Sequence, residues 1–90
     1  MRQLILYSRA GCCLCEGLES RLRALDVLGL SIELKVIDID APGTPQELKA
    51  RYDLEVPVLA LDGSQLPRVS PRLMGEGLVN WLQRSLSTAL

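Results

Sequence analysis

Residues 3–15 read Gln3-Leu4-Ile5-Leu6-Tyr7-Ser8-Arg9-Ala10-Gly11-Cys12-Cys13-Leu14-Cys15, and the fold turns on how this stretch is divided. Gln3 to Tyr7 is a short apolar run closed by Ser8-Arg9-Ala10-Gly11, the signature of a strand buried on both faces. From Cys12 onward Leu14, Leu18, Leu22, Leu25 and Leu28 recur at helical spacing, with Glu16, Glu19, Arg21, Arg23 and Asp26 on the other side. An amphipathic helix is expected there, stopped by Gly29. The three cysteines of the chain thus fall where a strand turns into a helix.

Outward from this point the pattern continues with short turns and no repeat or linker. Ser31 to Asp40 alternates apolar and polar residues, which predicts a second strand with a change of register near Val36–Ile37. Ala41-Pro42-Gly43 breaks it, and Thr44-Pro45-Gln46-Glu47 predicts a capping box for a short helix to about Tyr52, with Thr44 as N-cap. Val56 to Leu61 and Gln65 to Val69 flank Asp62-Gly63 and predict an antiparallel hairpin. Ser70-Pro71 reads as the cap of a last helix whose inward face is Leu78, Val79, Leu82 and Leu86, with Gly75 and Gly77 weakening its start. The order βαβαββα implies a right-handed crossover between two parallel strands, and an α/β fold with helices on the faces of one sheet.

Ninety residues hold one core, so a single domain spanning 1–90 is expected. Ten Lys and Arg against eleven Asp and Glu leave a net charge of -1, without the cationic excess that phosphate backbones require. No nucleic-acid partner is expected. The apolar run at Leu4–Tyr7 is too short for a secretory signal, and no stretch reaches the roughly 18 to 20 apolar residues of a membrane span. The chain is read as cytoplasmic, monomeric and without a membrane partner, in a compartment where thiols are kept reduced.

The cysteines then need a use. A Cys in the first turn of a helix meets unpaired backbone N–H groups and the positive end of the helix dipole, which favour thiolate over thiol. Its pKa can fall from about 8.5 into the range of about 3.5 to 7.5. Cys15 lies three residues on, close to one turn, so Cys12 reads as nucleophile and Cys15 as resolving thiol. Burial of both as small hydrophobes is the plainer alternative. Zinc within one chain is not expected, because the sequence has no His and no second CxxC pair. Cys13 reads first as a spectator, with packing residue and auxiliary thiol as its other readings.

Glu55-Val56-Pro57 opens an apolar run with a residue that cannot donate a ladder hydrogen bond. A cis Val56–Pro57 bond would turn the Val56 N–H and C=O toward an extended substrate, whereas a trans bond would only begin the strand.

Together, Tyr7-Ser8-Arg9-Ala10-Gly11-Cys12-Cys13-Leu14-Cys15 and Tyr52-Asp53-Leu54-Glu55-Val56-Pro57-Val58-Leu59 resemble the thioredoxin fold, and within it the glutaredoxins and small glutaredoxin-like proteins. The resemblance covers nearly the whole chain. It implies a four-stranded mixed sheet of order 2-1-3-4 flanked by three helices, a cis Pro57 beside Cys12, and thiol-disulfide exchange. It also implies substrate contacts from Arg9, Val56 and Pro57, with Arg9 standing where glutaredoxins often carry a Lys that contacts the glutathione carboxylate. A solvated surface Arg9 is the equally simple reading. Glu55 stands where glutaredoxins usually have Thr, and Val69-Ser70-Pro71-Arg72 where they usually have two glycines and an acidic residue.

The expected activity is a dithiol oxidoreductase acting on a disulfide-containing protein or a glutathione mixed disulfide. It needs no obligatory cofactor, and glutathione or a reductase would supply electrons. Helix dipole and Arg9 are expected to support the Cys12 thiolate, with Glu16 opposing. The alternatives are non-enzymatic. One holds glutathione or an iron-sulfur cluster through Cys12; the other is a redox-inactive interaction domain on the same fold. Arsenate-reductase-like chemistry would need an arginine-rich anion site that the sequence does not display.

Overall fold

The computed structural model describes residues 2–25, 32–70 and 72–88. The chain runs β1 (Arg2–Ser8), α1 (Cys13–Ala24), β2 (Ile32–Asp38), α2 (Gln46–Tyr52), β3 (Val58–Leu61), β4 (Ser64–Gln65) and α3 (Gly75–Thr88). The strands form one sheet of order β2-β1-β3-β4. β1 pairs parallel with β2 and antiparallel with β3, and β3 with β4 is antiparallel. This is the thioredoxin-like βαβαββα arrangement.

Period-2 alternation sorts side chains to the two sheet faces. Leu4 and Leu6 of β1, Ile32 of β2 and Leu59 and Leu61 of β3 share one cluster with Leu18 and Leu22 of α1 and Leu78 and Leu82 of α3. Tyr7, Val58 and Ala60 share the other with Ile39 and Tyr52, and partly buried Ile5, Ile37, Leu48 and Val56 pack against it. α1 and α3 therefore cover one face and α2 the other.

The parity change in β2 has a different cause from the expected register shift. Pairing runs unbroken from Arg2 with Ile32 to Ser8 with Asp38. Glu33 and Lys35 are exposed on the same face as Ile37 and Ile39, but only the latter two are reached by the cluster around α2. The apolar pattern follows helix coverage along an edge strand.

Several boundaries differ from the sequence reading, among them that β2 ends at Asp38 and β3 begins at Val58. α1 ends at Ala24, before Gly29, because Leu25 turns extended (φ -82°, ψ 150°) and packs against the larger core. Pro45, not Thr44, is the N-cap of α2, and no side chain caps that helix. The Thr44 hydroxyl instead donates to the Asp38 carbonyl at 2.9 Å, closing the loop after β2. β4 is two residues long: Leu66 N–H still donates to the Leu59 carbonyl, but Pro67 has no N–H to continue the ladder. α3 starts at Gly75, whose φ of +56° breaks the chain direction there. The Ser70 hydroxyl accepts from Arg72 N–H in a turn ahead of the helix.

Asp26, Leu28, Gly29, Ser31 and Pro71 lie outside the described residues, as does the side chain of Leu86. The hairpin forms as expected, with Asp62 (φ 49°) and Gly63 (φ 90°) in the left-handed region that a two-residue I′ turn requires. Asp62 also exchanges hydrogen bonds with Gln3, its carboxylate accepting from Gln3 N–H at 2.9 Å and its own N–H donating to the Gln3 carbonyl.

Candidate functional site

β1 ends at Ser8, and Arg9 to Gly11 carry the chain over the sheet edge into α1. Cys12 N–H donates to the Arg9 carbonyl, and Cys12 becomes the N-cap of α1. Its Sγ occupies the place that a Ser or Asp oxygen takes in an ordinary cap, accepting from Cys15 N–H at 3.2 Å. A thiolate there is held by a backbone N–H and by the helix dipole.

Cys12 and Cys15 form a disulfide, their Cα atoms 5.2 Å apart. Cys15 is 1% exposed and sits on the inward face of α1 with Leu18 and Leu22, whereas Cys12 is half-buried. That asymmetry gives the pair one accessible sulfur and one sheltered sulfur. Cys13 is a free thiol and exposed. Leu14, placed on the inward stripe by its spacing, is 50% exposed, because one residue of helix rotates about 100° away from Cys15.

The Val56–Pro57 peptide is cis. Pro57 lines a cleft with Leu14, Leu18 and Arg21 of α1 and with Arg68 and Val69, so the proline segment and the start of α1 face one space. Val56 does not offer both of its main-chain groups: its N–H donates to the Tyr52 carbonyl at 3.1 Å. Any strand-like pairing with Val56 runs through its carbonyl.

Arg9 is not a solvated surface side chain. Its Nε donates to Asp40 Oδ2 at 2.6 Å, its Nη1 to the Asp53 carbonyl at 3.1 Å, and its Nη2 to Asp40 Oδ1 at 3.3 Å and to Asp53 Oδ1. Lys49 Nζ joins Asp40 at 3.2 Å. The hydrogen bonds to Asp40 and then Asp53 raise the Arg9 pKa above its ordinary value, and the same bond from Arg9 holds the Asp40 carboxyl below the usual carboxylate range, with Lys49 assisting. Two cations and two carboxylates make the cluster neutral, so it supplies little net field to the thiol. Support for a Cys12 thiolate falls to the α1 N-terminus.

Asp40 and Asp53 were not singled out by sequence spacing. The available signal was topological: Arg9 leaves β1, Asp40 follows the adjacent parallel strand β2, and both leave the sheet at one edge. Beneath the cluster Tyr7 and Tyr52 stack with ring centroids 4.6 Å apart and planes at 26°, and burial pushes the Tyr7 phenol above its ordinary pKa. Among the described residues no group of three or more His, Cys, Asp or Glu could hold a metal ion, and no helix is long and apolar enough to cross a membrane.

Several solved structures with this arrangement are thioredoxins. A malarial protein aligns with a TM-score of 0.64 at 17% identity, covering 96% of this chain and 98% of its own. Thioredoxin O1 from Arabidopsis thaliana, in its oxidised state, gives 0.62 at 17% identity over 97% of this chain and 77% of that one. A mutant thioredoxin from Halobacterium salinarum gives 0.60 at 28% identity over 93% of this chain and 73% of that one. No curated protein sequence matches the chain. A CxxC pair opening a helix on this fold has the parts of a thiol oxidoreductase, and residues 3–83 match the family described as glutaredoxin-like domain (DUF836), to which the chain belongs.

Proposed function

We propose that the protein is a dithiol oxidoreductase that reduces a disulfide in a protein or a glutathione mixed disulfide. The observation that carries this reading is the Cys12 cap: a half-buried sulfur accepting from Cys15 N–H at a helix start, paired with a buried second thiol. In the reduced protein the Cys12 thiolate attacks one sulfur of R–S–S–R′. A Cys12–S–S–R bond forms and R′S⁻ leaves, to be protonated by solvent. Cys15 loses its proton and attacks Cys12 Sγ, forming the Cys12–Cys15 bond and releasing RS⁻. The two electrons that reduce the substrate come from the dithiol. Two glutathione molecules or a reductase restore it.

The cleft lined by Leu14, Pro57, Arg68 and Val69 supports an extended substrate segment lying against Pro57. The exposed Glu55 disfavours an anionic ligand at its side of the proline. The test is trapping. Cys15→Ser should accumulate a stable mixed disulfide at Cys12, visible as a mass increase with oxidised glutathione or a protein disulfide. Cys12→Ser should trap nothing. Equal trapping by Cys13 alone, with Cys12 inert, would contradict the assignment.

A further inference from the structure

The guanidinium of Arg9 makes four hydrogen bonds with its five N–H groups, all to oxygens of its own chain. Its partners come from two other segments: Asp40 from the loop after β2, and Asp53 from the turn between α2 and β3. Each segment is itself tied down. Asp40 N–H donates to Asp38 Oδ1 at 2.8 Å, and Tyr52, next to Asp53, accepts from both Glu55 and Val56 N–H. On its own side, the Arg9 carbonyl accepts from Cys12 N–H. One side chain thus connects the loop carrying the nucleophile to the turn that leads into Val56–Pro57.

We propose that Arg9 is a positioning residue: clamped between Asp40 and Asp53, it holds the Cys12 loop in register with the proline segment and does not receive a substrate carboxylate. This rests on the oxidoreductase reading above and narrows it. A substrate whose binding depends on a carboxylate meeting Arg9 would have to displace two internal carboxylates and a backbone carbonyl. Recognition of the disulfide then falls to the cleft of Leu14, Leu18, Pro57 and Val69, and any attraction for a substrate carboxylate to Arg21 and Arg68, which line the same cleft, and not to Arg9.

The experiment compares wild type, Arg9→Ala, Arg9→Lys and Asp53→Asn, all carrying Cys13→Ser so that the exposed third thiol does not react. Single-turnover reduction is followed for oxidised glutathione, which carries carboxylates, and for bis(2-hydroxyethyl) disulfide, which carries none. Thermal melts identify any variant that fails to fold. Arg9→Ala and Asp53→Asn are expected to slow the maximal rate on both disulfides alike, by about 10- to 100-fold for a displaced nucleophile loop. Lys, which reaches only one carboxylate, recovers part of the loss. A loss confined to the half-saturating concentration of oxidised glutathione in Arg9→Ala, or tighter use of oxidised glutathione by Asp53→Asn, would overturn the proposal.

The pH profile of Cys12 alkylation separates position from charge. Arg9→Ala leaves the cluster at net -1 and Asp53→Asn leaves it at net +1, so a through-space effect shifts the two profiles in opposite directions. Loss of position loosens Cys12 from the Cys15 N–H in both, and both profiles move to higher pH. Opposite shifts, or none, contradict the clamp. If the wild type reduces neither disulfide, the oxidoreductase reading fails, and these alkylation profiles still decide the role of Arg9.

Discussion

The buried hydrophobic cluster under α1 and α3 is aliphatic among the described residues, from Leu4 and Leu6 through Leu22 to Leu78 and Leu82, whereas under α2 the sheet meets a stacked tyrosine pair. The larger face is held by area removed from water, which is non-directional. The smaller face depends on one aromatic geometry, and the helix that supplies Tyr52 continues into Asp53 and the Arg9 cluster at the edge of the site. The two faces therefore divide the work: one supplies stability, the other fixes the loops around Cys12. Changes under α1 and α3 should cost stability without altering the thiol, and changes under α2 should alter the thiol at a smaller cost in stability.

The largest effect is expected at Leu22, which is fully buried between α1 and the sheet. Leu22→Ala should lower unfolding stability by about 2–5 kcal/mol in urea titration while leaving the pH profile of Cys12 alkylation unchanged. A shifted profile would show that the two faces are not separable. Tyr52→Leu is the converse test. Keeping apolar volume while losing the stack with Tyr7, it should cost about 0.5–1.5 kcal/mol beyond lost area and displace the Cys12 profile through Asp53. An unchanged profile would confine the site's support to the loops.

The smallest effect is a difference in pH dependence. Arg9 holds the folded-state pKa of Asp40 below its unfolded value, so the contribution is present above the unfolded pKa of about 3.9 and is lost as pH falls through the folded value. Asp40→Asn should flatten that acidic limb of stability against pH, measured by urea unfolding at a series of pH values below 5. Leu22→Ala should lower the whole curve without changing its shape. The opposite pattern would place the ionic cluster outside the fold's support.

Legibility in the sequence follows the same division. Leu18, Leu22, Leu78 and Leu82 announce their helices because a repeating apolar stripe is a local signal, and β1 is readable because a central strand is apolar on both faces. Asp62-Gly63 is readable because few residues accept positive φ. Boundaries set by one tertiary contact are not: Thr44 looks like a cap until its hydroxyl is found on Asp38, and the β2 parity looks like a slip until α2 is seen to cover only part of the strand. At the site, Cys12, Cys15 and Pro57 are legible from spacing and position. The partners of Arg9 are not, since Asp40 and Asp53 lie 31 and 44 residues away and meet it only through the sheet topology.

The central claim is that the α1 N-terminus makes Cys12 the nucleophile of the pair. Titration of the reduced protein by pH-dependent alkylation, with mass spectrometry assigning each modified cysteine, tests it most directly. The account predicts a Cys12 pKa well below the ordinary thiol value of about 8.5 and a Cys15 pKa at or above it. Both thiols titrating above about 8, or Cys15 ionising first, would contradict it.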